Sequence, residues 1–453
     1  MTKRLTILAT ALALAGCSLA PHYERPSLPV APAYPAASPA GEAAAAIAWP
    51  RYFADARLQE LIRMALANNR DLRVALANIE QARAAYRIRR ADQLPTVNAA
   101  VTGSRVPGKD DTITSTYTAG LGVSAFELDL FGRVRNLSEA AQAQYLATEE
   151  AGRVVRIGLV AAVANAYLAT LADDELLALT QRTLTTREES MRLVQLKFDQ
   201  GVISKLDLEQ AISLVDSARV VLAQQQRQQA ADFNLLTLLV GQPLPSTLPA
   251  PAALADTNLA DLPAGLPSDL LATRPDVRAA EQQLIAANAN IGAARANYFP
   301  RISLTATAGS ASSELSGLFK SGSFGWTFAP QAVMPLFDFG RTSASVDSAK
   351  AARDAAVAQY DKAVQTAFRE VSDALAGQAT YGEQLRAQRS VANAEAERFR
   401  LADLRYKNGA ASYLDYLDAQ RSLFTAQQAA VQANLARLQN QVTLYKVLGG
   451  GLQ

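Results

Sequence analysis

Phe131-Gly132-Arg133 occurs a second time as Phe339-Gly340-Arg341, 208 residues further along the chain. The interval recurs. Gly201 answers to Gly409, Leu206-Asp207 to Leu414-Asp415, and Leu239-Val240-Gly241 to Val447-Leu448-Gly449. Upstream the interval is 205: Asp71, Arg73, Ala91 and Pro95 correspond to Asp276, Arg278, Ala296 and Pro300. One polypeptide therefore carries two copies of one structural unit.

Each Phe-Gly-Arg stands near the start of a proline-free stretch. No proline occurs between Pro107 and Pro243 or after Pro335. Such stretches, rich in Ala, Leu, Gln, Glu and Arg, read as very long helices. Val346, Ala349, Ala356, Tyr360, Ala363, Ala367, Val371 and Ala374 keep helical spacing. A helix from about Arg133 to Gln200 would run about 100 Å at 1.5 Å per residue, which suits a tube or coiled coil better than a compact enzyme. Ile157 to Ala172 is apolar enough to suggest a membrane span, but its counterpart in the second copy carries Arg369, Glu370 and Asp373. A repeat that tolerates three charges there does not face lipid; the segment reads as packed helix.

Ahead of each long helix lie two strand-like segments, roughly Val97–Val106 with Tyr117–Leu130 and Ile302–Ser312 with Phe324–Leu336. They are rich in Thr, Ser, Gly, Val and aromatics, with alternation such as Phe324, Trp326, Phe328. Segments of this length can cross an outer membrane as tilted strands. Four strands cannot close a membrane barrel, since eight is the smallest number known. If these span, several chains share one barrel, and three chains give twelve strands.

At the amino end Lys3 and Arg4 precede an apolar run from Leu5 to Leu14, too short for a permanent span. Residues 1–16 read as a signal peptide. Leu14-Ala15-Gly16-Cys17 resembles a bacterial lipobox, which makes Cys17 the acylated first residue of the mature chain; Ser18 after it implies delivery to the outer membrane. Residues 17–50, rich in Pro and Ala, read as an extended tether. The remaining divisions are a first repeat over 51–242, a Pro-rich connection over 243–268, and a second repeat over 269–453.

Composition excludes much else. Cys17 and His22 are the only cysteine and histidine, so an internal disulfide is impossible, one of each is too few for a His/Cys metal site, and the only imidazole for Ser-His-Asp catalysis sits in a Pro-rich tail. A net charge of +2 offers no basic face for nucleic acid. No enzyme motif and no cofactor motif is present.

Gly265-Leu266-Pro267-Ser268-Asp269-Leu270-Leu271, followed by Arg274-Pro275-Asp276-Val277, closely resembles the signature of the outer membrane factor family, and within it the NodT-type efflux lipoproteins related to TolC. The resemblance continues through Ile291-Gly292-Ala293-Ala294, Phe299-Pro300, Pro335 to Arg341, Tyr413-Leu414, Ala419-Gln420-Arg421 and Leu444 to Gly451. It implies a mostly α fold with transmembrane β: a homo-trimer with a twelve-stranded β-barrel in the outer membrane and a long α-helical barrel below it in the periplasm. Its implied partners are outer-membrane lipid, a periplasmic adaptor (membrane fusion) protein and an inner-membrane resistance-nodulation-division transporter. The implied role is passive passage of drugs and other small molecules. A secretion duct for polypeptides is the nearest alternative, and a lipid-anchored scaffold without a pore is a third.

The resemblance also implies a periplasmic gate at the turn after the last long helix: Tyr406, Leu414, Asp415, Asp418 and Arg421, with Asp207 as the first-copy counterpart of Asp415. Asp415 and Asp418 lie three apart near a helix start and share a face; read without the resemblance, they are acids favouring a helix N-terminus. The first copy has Gln210 and Ser213 where the second has Asp418 and Arg421, so the second-copy turn is the better gate candidate. Gly132, Arg133, Gly340, Arg341, Gly201 and Gly409 read as structural turn residues.

Overall fold

The computed structural model describes residues 18–35, 42–107, 113–265, 269 and 274–452. The leader, Cys17 and residues 266–268 and 270–273 of the signature lie outside the described residues.

The duplication appears in both copies as a helix of the same length, two strands and two long helices, in that order. The first copy runs α1 (Ala56–Asn68), α2 (Arg70–Ala91), β1 (Val97–Pro107), β2 (Ile113–Glu127), α3 (Arg133–Asp199) and α4 (Lys205–Val240). The second runs α5 (Pro275–Ala296), β3 (Arg301–Ser312), β4 (Phe324–Val333), α6 (Arg341–Lys407) and α7 (Tyr413–Val447). Helices α3 and α6 each have 67 residues, and α2 and α5 each have 22. The long helices start where Phe-Gly-Arg turns the chain: Gly132 and Gly340 have φ of 73° and 87°, which an L side chain rarely adopts. Asp129 and Asp338 then accept the first helical N–H groups, from Arg135 at 2.7 Å and Thr342 at 2.8 Å.

The strands form one antiparallel sheet in the order β1-β2-β3-β4. Strand β2 begins earlier than its composition suggests, at Ile113, because Pro107 to Val97 on β1 offers partners along that whole length. Strand β4 stops at Val333, before Pro335, which has no N–H for a ladder. Pairing puts Val97, Val101, Leu121, Trp326 and Phe328 on one face and Thr102, Thr118, Thr307, Thr327 and Gln331 on the other. The apolar face is exposed, with Trp326 at 73% and Val101 at 78%. An apolar outer face with a polar, small-residue inner face is the pattern of a membrane barrel wall.

Two compact units cut across the two copies. One holds the sheet, with residues 77–150, 278–363 and the described part of 1–27. Here Ala140 and Ala143 of α3 pack on Ala286 and Ala289 of α5, small residues that let two helix backbones approach closely. Residues 18–25, read from sequence as part of an extended tether, are seated along α5. Asn288 donates to the Pro21 carbonyl at 2.7 Å, Arg295 to that of Leu19 at 3.1 Å, and buried Glu281 accepts from Tyr23 and Arg25. Gly292 makes the room: a Cβ there would lie 2.7 Å from the Ala20 nitrogen.

The other unit holds the described parts of 28–76, 151–277 and 364–453. Its core gathers Phe53, Leu61, Ile62, Leu168, Leu254, Leu262 and Leu438, and Tyr52 stacks on Tyr445 at 4.2 Å. The apolar run Ile157 to Ala172 belongs to this core. Val163 and Ala164 are fully buried in protein, and Tyr167 donates to Asp55 at 2.9 Å. Arg274 of the signature is buried and binds Asp276, Glu370 (2.7 Å) and the Val447 carbonyl (3.1 Å), tying the start of α5 to the middle of α6 and the end of α7.

Candidate functional site

The gate candidates lie on two helical hairpin turns within one unit. Helix α6 ends at Lys407, Gly409 reverses the chain at φ 70°, and Ser412 starts α7. In the first copy Gly201 (φ 72°) and Ser204 stand in the same places. No Cβ would clash at either glycine, so the positive φ alone calls for glycine.

Both returning helices open with a capping box. The Ser412 hydroxyl accepts from the Asp415 N–H at 3.2 Å, and the Asp415 carboxylate accepts from the Ser412 N–H at 3.1 Å. Ser204 and Asp207 repeat this, both distances being 3.2 Å. Hydrogen bonding to Ser412 holds the Asp415 carboxyl below its ordinary range, and Arg405 and Arg398 add to that. Asp415 and Asp207 therefore fasten helix starts, and Leu414 and Leu206 beside them are exposed at 56% and 67%.

Asp418 does something else. It pairs with Arg398 on α6, which also binds Glu395 at 3.1 Å and the Ser422 hydroxyl at 3.3 Å. Arg421, which the resemblance groups with the two acids, forms no ion pair among the described residues. It lies instead within Coulombic reach of Arg187. Arg187 is buried on α3, donates to the Leu214 carbonyl at 3.0 Å, and lies 5.4 Å from the Phe424 ring centroid. Burial lowers its proton affinity, and Arg421 lowers it further.

The two hairpins meet through an aromatic cluster. Tyr406 lies 5.4 Å from Tyr413 and 5.5 Å from Tyr416, and Phe399 lies 5.4 Å from Tyr416. Val194, Leu208, Ala211 and Leu417 close the packing around Tyr413 and Tyr416. From the first copy, Lys197 reaches across: its Nζ donates to the Tyr406 hydroxyl at 3.3 Å and stands 4.7 Å from that ring's centroid. Burial pushes the Tyr413 phenol up to about 12, and Ser190, hydrogen-bonded to it, works the other way. Tyr406 and Asp418 are thus brought into contacts with Lys197 and Arg398, partners that the sequence reading did not name. Lys197 could have been found by length: it lies two residues from the end of α3, as Arg405 does from the end of α6.

At the sheet end, Arg133 binds Glu127 at 2.7 and 2.5 Å, and Arg301 binds the same carboxylate at 2.6 Å. Arg341 has no such acid, because Pro335 stands where its copy would carry one. Among the described residues no group of three His, Cys, Asp or Glu side chains is arranged to hold a metal ion.

The sequence profile of the family described as outer membrane efflux protein matches residues 61–242 and 266–450. The chain is 51% identical to the probable efflux pump outer membrane protein TtgC of Pseudomonas putida, over its whole length and 96% of the relative. It is 45% identical to outer membrane protein OprJ of Pseudomonas aeruginosa, across 98% of this chain and 95% of that one. Among solved structures it is similar to the open state of the MtrE outer membrane channel of Neisseria gonorrhoeae. The TM-score is 0.91 at 42% identity, covering 96% of this chain and 99% of that one.

Proposed function

The chain belongs to the outer membrane efflux protein family, and from that premise we propose that three copies form one lipid-anchored exit duct serving a tripartite pump. The protein is the outer-membrane channel component of an efflux system. Its passengers are drugs and other small molecules, delivered by a periplasmic adaptor and an inner-membrane resistance-nodulation-division transporter. It holds the passage and performs no chemistry; the transporter selects. Cys17 carries the acyl chains, and residues 18–25 lead from it along α5.

One observation carries the reading: a four-stranded sheet with one apolar face, one hydroxyl-rich face and two unpaired edges, β1 and β4. An open edge in hydrocarbon leaves N–H and C=O groups without partners, at several kcal/mol each. Three sheets of four close a twelve-stranded wall and remove all edges. The hairpin turns supply the periplasmic mouth. Tyr406, Leu414, Asp415, Asp418 and Arg421, with Asp207, form its gate, whose closed position is held by Lys197–Tyr406 between hairpins and Arg398–Asp418 within one.

The test is conductance of the purified protein in planar bilayers, with drug susceptibility of a strain lacking it. Discrete channel openings and raised susceptibility are expected. A protein that inserts without conducting is a scaffold, and the duct reading falls.

A further inference from the structure

Within one chain, β2 of the first copy pairs with β3 of the second. A duplicated chain closed into a ring repeats that junction between chains, β4 of one subunit against β1 of the next. The trimer reading above is the ground for this inference, and the internal repeat supplies the register.

The equivalence of strands is fixed twice over. Strand β1 maps onto β3 at the interval of 205 set by Pro95 and Pro300, which carries Thr102 to Thr307. Strand β2 has a bulge between Val123 and Phe126, with Ala125 at φ 50°, and β4 pairs without one. The interval of 208 at Phe131 and Phe339 therefore becomes 209 beyond the bulge, which carries Thr118 to Thr327. The structure provides a check. Thr102 and Thr118 share a hydroxyl hydrogen bond of 2.6 Å, and Thr307 and Thr327 share one of 2.5 Å.

Carried across the subunit boundary, the observed pair Gly120–Gly309 becomes Ala329 with Ser104 of the partner subunit. Val123–Ala306 becomes Ala332 with Val101 of the partner subunit. We propose that the seam between subunits has this register, and that Phe339 covers Leu94 of the partner subunit at its periplasmic rim. The faces agree: apolar positions meet apolar ones, and Gln331 meets Thr102 of the partner subunit. A one-residue slip would set each apolar side chain of β4 beside the hydroxyl face. At the rim, the contact that the repeat copies is Phe131 stacked on Phe299 at 4.7 Å. Their counterparts Phe339 and Leu94 are 103% and 70% exposed in the single chain, and Phe339 sits at φ 53°. A strained and wholly exposed aromatic is what a contact surface for another copy leaves behind.

The experiment is disulfide mapping. Ala329→Cys is combined in one chain with Ser104→Cys, Thr102→Cys or Val106→Cys. Strands β1 and β4 are opposite edges of the sheet, so a bond can only join subunits. Directly opposed residues have Cα atoms about 4.5–5.5 Å apart, inside disulfide reach, whereas neighbours two along are about 7–8 Å away. Native mass is measured first for each variant. The Ser104 pair is expected to give covalent trimer on a non-reducing denaturing gel at no less than about five times the yield of either slipped pair. Trimers that cross-link best through Thr102→Cys or Val106→Cys, or through none, overturn the register. If the barrel variants do not assemble, Phe339→Cys with Leu94→Cys tests the rim; an intact trimer with no bond there overturns the inference too. A wild-type protein that is not trimeric overturns the trimer reading itself, a result that native mass separates from a wrong register.

Discussion

Asp415 turns its Oδ2 back toward Ser412, accepting from the backbone N–H at 3.1 Å and the hydroxyl at 2.8 Å. Asp418, one turn on, faces Arg398. Two acids three residues apart thus serve different ends, and the difference is measurable. Replacing a capping serine costs about 0.5–2 kcal/mol and its N3 acid satisfies a second N–H of the same box, so Asp415→Ala is expected to destabilise its helix start, and Asp207→Ala the equivalent start in the first copy. The Arg398–Asp418 pair is exposed, and such pairs contribute about 0.2–1 kcal/mol. Arg398→Ala is therefore expected to leave the melting temperature nearly unchanged while raising single-channel conductance, because Asp418 is freed from α6. Arg421→Ala is expected to change conductance less, since Arg421 holds neither acid within its chain. The reverse ranking of the two variants would show that the holding contact runs through Arg421.

Helices α3 and α4 bring two carboxyls together, Asp173 and Asp232. Asp173 is 5% exposed; burial pushes it up to about 7, and Asp232 beside it and Asp174 next to it push in the same direction. A carboxyl raised in the folded state binds its proton there while the unfolded chain has released it. Stability from this site is then largest below the unfolded value near 4 and declines as pH rises to about 7. Asp173→Asn keeps the shape and removes the titration. Its melting temperature is expected to exceed that of wild type at pH 8 and to approach it at pH 4. Equal differences at both pH values would mean that Asp173 does not titrate in this range. Much at this scale was legible in sequence: the absence of proline gave the long helices, and Phe-Gly-Arg marked their starts to the residue. The partners of the gate residues were not. Arg398 meets Asp418 only because α6 and α7 fold back on each other, and neither periodicity nor the repeat encodes which side chains then touch. The seat of residues 18–25 on α5 was hidden likewise, since a Pro-rich segment has no periodicity of its own and its partners, Glu281, Asn288 and Arg295, lie far along the chain in the second copy.

A single chain of this fold is incomplete. Its sheet has an apolar face with Trp326 and Phe328 exposed and two edges without partners, and the gate proposed for its hairpin turns would act only as a ring around a shared axis. The duplicated sequence gives each subunit two similar wedges, and differences between them, such as Asp418 against Gln210, confine the Arg398–Asp418 pair to one wedge in each. All of this depends on the sharing of one barrel by three copies. The most direct measurement is native mass spectrometry of the wild-type protein released from detergent, with its β-content recorded by circular dichroism. Three chains per particle is the expected result, with no folded monomer on dilution. A stable single chain that retains its strands would contradict the account.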